Sequence, residues 1–127
     1  MNDKDDTILV QTLTDSFRRQ LDWYMELREV VRQLMSRLVL SRGSLSQLTD
    51  GLQKKKQLVE EIEAERHRIA GPMSLWLERK NSIIAGDDVE SFDKLLQMVT
   101  AAIKDFLDDE DQLRVYLEGI LSRTSST

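Results

Sequence analysis

A chain of 127 residues is one domain by length, and its formal charge of −5, from 23 acidic against 18 basic side chains, provides no overall cationic field to gather phosphates. Nucleic acid is therefore not an expected partner. Cysteine is absent, which excludes disulfides and zinc-thiolate sites. Five Gly, one Pro and 6% aromatic residues leave little turn chemistry for a many-stranded fold.

The abundance of Leu, Glu, Lys, Arg and Gln suits helices, so the expected fold class is all-α. The opening Met1-Asn2-Asp3-Lys4-Asp5-Asp6 is acidic and unlike a secretory signal. No apolar run approaches the ~18 residues of a membrane span, so no membrane insertion and a cytoplasmic location are expected.

From about Thr7, Val10, Leu13, Phe17, Tyr24, Leu27, Val31, Leu34 and Leu38 recur at alternating spacings of three and four, with Gln20 the single polar seam position. This predicts one helix over 7–40, N-capped by Asp5, Asp6 or Thr7. Leu21, Trp23, Val30 and Met35 widen its stripe, as suits a helix packed against two neighbours. Ser41-Arg42-Gly43-Ser44 ends it, Gly supplying the left-handed conformation common past a helix C-terminus. Ser44 and Gln47 read as a capping box opening a second, antiparallel helix.

In that second helix, predicted over 44–70, Leu45, Leu48, Leu52, Val59, Ile62 and Ile69 form the seam, and only Lys55 and Arg66 break it. Lys54, Lys56, Glu60, Glu61, Glu63 and Glu65 are assigned to its outer face. Gly71-Pro72 must kink or split it, because proline lacks an amide donor and clashes with the preceding turn. Met73, Trp76 and Ile83 keep the seam phase, so a continuation over 72–84 along the same groove is expected. A turn at Ala85-Gly86-Asp87-Asp88 follows, with Asp87 and Glu90 as a capping box. A last helix over 88–122 carries Val89, Phe92, Leu96, Val99, Ile103, Phe106, Leu113, Leu117 and Ile120, interrupted only at Glu110. Residues 123–127 form a polar tail expected to fray. The predicted architecture is an antiparallel bundle of three long helices, the middle one kinked or split.

Chemistry is sparse in this pattern. His67, the only histidine, lies between Arg66 and Arg68 without converging ligands, and reads as a solvated side chain. Asp108-Asp109-Glu110-Asp111 lacks the glycine turn of a calcium loop and projects in several directions from a helix. Lys54-Lys55-Lys56 reads as a donor of ion pairs one turn along its own helix. No phosphate loop, nucleophile elbow or paired-carboxylate cleft is present, so no enzyme, metal or cofactor is expected.

The end of the last helix is the exception. Leu113, Leu117 and Ile120 lie in the seam, Val115 opposite it, Tyr116 beside it and Leu121 on its other flank, and Leu107 widens the stripe upstream. A helix apolar on all sides is either deeply buried or offers a second face to something else. Leu107, Leu113, Val115, Tyr116, Leu117, Ile120 and Leu121 are the candidate partner-binding residues.

Tyr24-x-x-Leu27, then Leu40-x-x-Gly43-x-Leu45-x-x-Leu48, then Lys55 or Lys56, Leu58, Ile62 and Arg66 with Glu63 and Glu65 between, resemble the flagellar export chaperones of the FlgN-like family. The likeness spans about 21–68. It implies a helical, non-enzymatic cytoplasmic chaperone that binds the amphipathic terminal segment of hook-filament junction proteins, prevents premature assembly and delivers them to the export apparatus. Gly71-Pro72 and the short C-terminal tail depart from the family pattern. The alternative expectation is a self-associating coiled-coil structural or adaptor protein, a homo-oligomer whose stripe is covered by a second copy. A third, a small-ligand or metal-sensing bundle, rests on the polar seam positions Gln20, Lys55, Arg66 and Glu110, of which Arg66 and Glu110 also suit a register-setting ion pair.

Overall fold

The computed structural model describes residues 3–41, 45, 48–83 and 86–125. They form four helices, α1 (Asp3–Leu40), α2 (Thr49–Arg68), α3 (Ala70–Arg79) and α4 (Asp87–Ser125), and no strand occurs among them. The all-α expectation is met. Among the described residues no helix is long and apolar enough to cross a membrane.

α1 begins ahead of the expected residue 7, so Asp5 and Asp6 are first-turn residues instead of caps. Acidic groups are favoured there by the partial positive charge of the free amides, and Asp6 is further tied to Arg79 of α3 at 3.5 Å. α1 closes with Ser41 N–H donating to the Arg37 carbonyl at 2.9 Å. The capping box assigned to Ser44 and Gln47 lies outside the described residues. α2 starts at Thr49, and Leu48 before it is buried.

α2 and α3 meet at Ile69, whose backbone (φ −98°, ψ 8°) leaves helical geometry. The break precedes Gly71-Pro72 because the proline ring presses on the carbonyl four residues back, that of Arg68. Pro72 itself falls in the first turn of α3, where its missing amide costs nothing. The expected continuation to 84 stops at Arg79. There the Arg79 carbonyl accepts from Ser82 N–H at 2.9 Å, Ile83 N–H at 3.0 Å and Ser82 Oγ at 2.9 Å, and these bonds turn the chain. α4 begins one residue earlier than expected, with Glu90 N–H donating to the Gly86 carbonyl at 2.9 Å. Gly86 therefore caps it, and Asp87 joins Asp88 and Glu90 in its acidic first turn. The tail expected to fray from residue 123 remains helical through Ser125.

Cross-helix pairs set the directions. Phe17 meets Phe92 in a tilted pair with ring centroids 5.8 Å apart, Tyr24 meets Phe106 likewise at 6.1 Å, and Arg28 pairs with Asp109 at 2.9 Å, so α1 and α4 run parallel. Ser16 and Arg19 reach Glu65 while Glu26 reaches Lys54, so α2 is antiparallel to α1. α1 is the common partner. One cluster joins Tyr24, Leu27, Leu34 and Leu38 to Leu48, Leu58, Ile62, Val99, Phe106 and Leu113, and a second joins Leu9, Val10 and Leu13 to Ile69, Trp76 and Phe92.

α2 lies close on α1 where Gly51 faces the buried Leu34. A methyl group at Gly51 would collide with Leu34 Cδ2 and sit 3.0 Å from Leu34 Cγ. Helix propensity favours Ala over Gly by up to ~1 kcal/mol, whereas overpacking a filled core costs about 1–3 kcal/mol. Gly51→Ala is thus expected to lower the urea midpoint, by about 1 kcal/mol of stability after the two are balanced. A higher midpoint would show that Leu34 yields without cost.

Candidate docking groove

Although α2, α3 and α4 all pack on α1, α2 and α3 bring no described Cα atom within 8 Å of α4. Helices in full contact have axes 8–10 Å apart, and their backbones approach closer than this. A groove therefore remains between α2–α3 and α4, floored by α1. Three hollows lie along it, of about 360, 150 and 380 Å³. The first and second share Arg66, and the second and third share Val59 and Phe106, so they form one furrow from Leu77 to Leu52.

The helical register explains the furrow. In α2 and α3, positions 48, 55, 62, 69 and 76 define the inner line. Gly51, Leu58 and Glu65 on one flank press on α1, while Leu52, Val59, Arg66 and Met73 on the other line the groove. α4 repeats the division: Phe92, Val99, Phe106, Leu113 and Ile120 are buried, Leu95 and Ala102 join them on one flank, and Ile103 and Glu110 line the groove from the other. Placing 52, 59, 66 and 73 in the seam with 55, 62, 69 and 76 takes the groove-facing flank for the core-facing one.

Glu65 shows the consequence. Expected on the outer face, it is instead 8% exposed against α1. It accepts from Arg68 Nε and Nη2 at 2.8 and 2.5 Å, from Ser16 Oγ at 2.5 Å and from Arg19 Nη2 at 2.8 Å. These bonds, Arg68's foremost, hold its carboxyl at about 2 against the desolvation that opposes them. Gln20, the polar seam residue, is buried and donates to Ser16 Oγ at 3.2 Å. No buried polar side-chain atom is left unsatisfied among the described residues.

Lys54 and Lys55 do not pair along their own helix as expected. Lys54 reaches Glu26 of α1 at 3.3 Å, and Lys55 reaches Glu110 of α4 at 2.6 Å across the groove. Glu110 therefore does not pair with Arg66, which sits eleven residues, about 16 Å of helix, farther along α2. Arg66 lines the middle hollow with Tyr24; burial raises the phenol's pKa, and the Arg66 charge partly offsets this. The acidic run disperses into three ion pairs: Asp109 to Arg28 at 2.9 Å, Glu110 to Lys55, and Asp111 to Arg114 at 2.5 Å. The Asp109 hydrogen bond raises the Arg28 pKa. His67 is exposed.

The seven candidate partner-binding residues separate. Leu113 and Ile120 are buried in the core, and Tyr116 and Leu117 pack against it, so these four are occupied within the fold. Leu107, Val115 and Leu121 are more than half exposed. Leu107 lies one turn beyond the groove residue Ile103, Leu121 one turn beyond Leu117, and Val115 on the back of α4. The groove wall itself, Leu52, Val59, Arg66, Met73 and Leu77, was missed as a site. Its sequence signal was the set of polar seam interruptions, Lys55, Arg66 and Glu110, all of which line the furrow.

By class the chain is an all-helical bundle with an apolar furrow flanked by charges. Comparison of the chain with protein-family models, with curated proteins and with solved structures finds no match.

Proposed function

We propose that this chain is a non-enzymatic, cytoplasmic export chaperone of the kind its sequence resembles, binding the amphipathic segment of a hook-filament junction protein and handing it to the export apparatus. The single observation that supports this most is the open furrow between α2–α3 and α4. Leu77 is exposed on its wall, and Leu107 is exposed one turn beyond the groove residue Ile103. Such a furrow suits helix-in-groove recognition, in which a partner's apolar stripe replaces water along the missing helix–helix contact. In this reading α2 and α3 act as one bent middle member of a three-helix bundle, and the bend at Ile69 keeps Leu77 and Met73 on the same wall as Leu52 and Val59.

The test is capture from lysate of the source cell, using wild type and a Leu77→Asp, Leu107→Asp variant. Both positions are exposed, so circular dichroism should show equal helicity. Wild type alone should enrich a flagellar junction protein, identified by mass spectrometry, in about equal stoichiometry. The same background on both baits abandons the chaperone reading.

Self-association has its own support. The parallel register of α1 and α4 brings their C-terminal ends to the same end of the bundle, where Leu40 is 84% exposed and Val39 and Leu121 more than half exposed. A concentration-independent dimer by light scattering, dispersed by Leu40→Asp, would favour a second copy as the cover of that end.

A further inference from the structure

Midway along the furrow stands a cation that forms no ion pair among the described residues. Arg66 is exposed on the α2 wall and bounds both the upper and the middle hollow. Glu65, next to it in the chain, is engaged on the other flank with Arg19 and Arg68, and Glu110 lies farther down the furrow on Lys55. Glu63 borders the same hollow, but no carboxylate among the described residues lies within ion-pairing distance of Arg66. Tyr24 lines the same middle hollow, and the Arg66 charge offsets part of the rise that burial gives its phenol. Apolar wall continues on either side, with Met73 and Ile103 above and Val59 and Phe106 below.

Resting on the docking reading above, we propose that the furrow's occupant is an amphipathic helix whose apolar stripe is interrupted near its centre by one carboxylate, read by Arg66. The dimensions agree: Leu52 to Leu77 spans about 37 Å of helix, room for some six turns of a partner. Charge agrees as well. A guanidinium binds a planar carboxylate through two parallel donors, and a site shielded by apolar walls strengthens that bond. The rim carries exposed charges of both signs, Lys56 beside Glu60 and Glu63, so the occupant's solvent-facing positions are polar and selection by charge falls to Arg66. Specificity follows from the pairing, because a helix with an apolar or cationic residue at the central position would leave Arg66 desolvated and unpaired.

The probe is a synthetic helix of about 21 residues, or some 32 Å, with leucine at the seam positions, lysine on the outer face and glutamate at the central seam position. Sister peptides carry glutamine or lysine there. Binding to the full chain is measured by anisotropy, alongside Arg66→Glu, Arg66→Lys and the Leu77→Asp, Leu107→Asp variant. Wild type should bind the glutamate peptide about tenfold more tightly than the lysine peptide. Arg66→Glu should reverse that order, and Arg66→Lys should keep it in weakened form, which separates charge reading from the guanidinium's two parallel donors. Equal binding of the three peptides by wild type overturns the role of Arg66 while leaving the groove in place. Failure of every peptide to bind, or binding unchanged by Leu77→Asp, Leu107→Asp, overturns the groove itself.

Discussion

Phe92→Ala is expected to lower the unfolding free energy by about 3–5 kcal/mol, a large part of the 5–15 kcal/mol typical of a domain. The ring is 0% exposed and stands where three helices meet. It meets Trp76 of α3 edge-on, with centroids 5.1 Å apart, and Phe17 of α1 at 5.8 Å. Aromatic pairs in such tilted arrangements add about 0.5–1.5 kcal/mol to the area they bury. Removing the ring leaves a void beside the rings of Trp76 and Phe17, in a cluster that also holds the buried Leu13 and Ile69 and is too closely packed to collapse fully.

The effect should be felt most by α3, which is 10 residues long and held to the rest mainly by Trp76 and by the Arg79 to Asp6 pair at its far end. Denaturant titration would give the loss, and tryptophan fluorescence of the folded variant should shift to longer wavelength as Trp76 meets water. Phe92→Leu, which keeps most of the volume, should cost under about 1.5 kcal/mol. A loss below about 1 kcal/mol for Phe92→Ala would mean that α3 settles onto α4 without the ring.

Phe92 was legible from its spacing, and so was most of the bundle. Shared positions such as Leu48, Ile62, Ile69 and Trp76, or Phe92, Val99, Phe106 and Leu113, belong to two possible seams at once, and all are buried. The ambiguity lay beside them. A seven-residue repeat leaves open which flank of the shared line turns inward, and apolar residues occupy both flanks: Leu58 and Val59 in α2, Leu95 and Leu96 in α4. Hydropathy chose Leu52 over Gly51, although close approach to α1 requires the glycine. It chose Val59 over Leu58, and Met73 over Pro72. It left Glu65 outside because a carboxylate reads as polar until the Ser16, Arg19 and Arg68 that satisfy it are seen in place. The two long polar interruptions, Lys55 and Arg66, were signals of a wall that no helix covers. Helix ends were less legible where side chains compete with the backbone, as at Ser82, which the periodicity of Ile83 obscured.

Glu65 is the second place where a single change should act strongly, and pH provides the handle. Its folded carboxyl titrates at about 2 against an ordinary value of 4.5, because Arg68 above all, then Ser16 and Arg19, donate to the charged form. Above pH 4.5 the group is ionised in both the folded and the unfolded chain, so its whole contribution is present. Between 4.5 and 2 the unfolded chain takes up the proton and the folded chain does not, so stability falls as pH falls; below about 2 the contribution is gone. Both arginine side chains are about half exposed, at 49% and 52%, and water screens them, so the share attached to this proton is about 1–2 kcal/mol.

At pH 7, Glu65→Ala should lose more than that share, about 2–3 kcal/mol. It also strands the Ser16 hydroxyl, fully buried in α1, with Gln20 as its remaining partner, and opens a void at the α1–α2 contact. Glu65→Gln keeps the volume and one acceptor, and should lose about 1–2 kcal/mol. The diagnostic is the difference between wild type and Glu65→Gln followed by urea titration from pH 7 to 2. It should hold steady to about pH 4.5 and then shrink as wild type gives up its ionic advantage. A difference that stays constant down to pH 2 would assign the loss to packing and hydrogen-bond geometry alone, and would show that the Arg19 charge contributes nothing to holding α2 on α1.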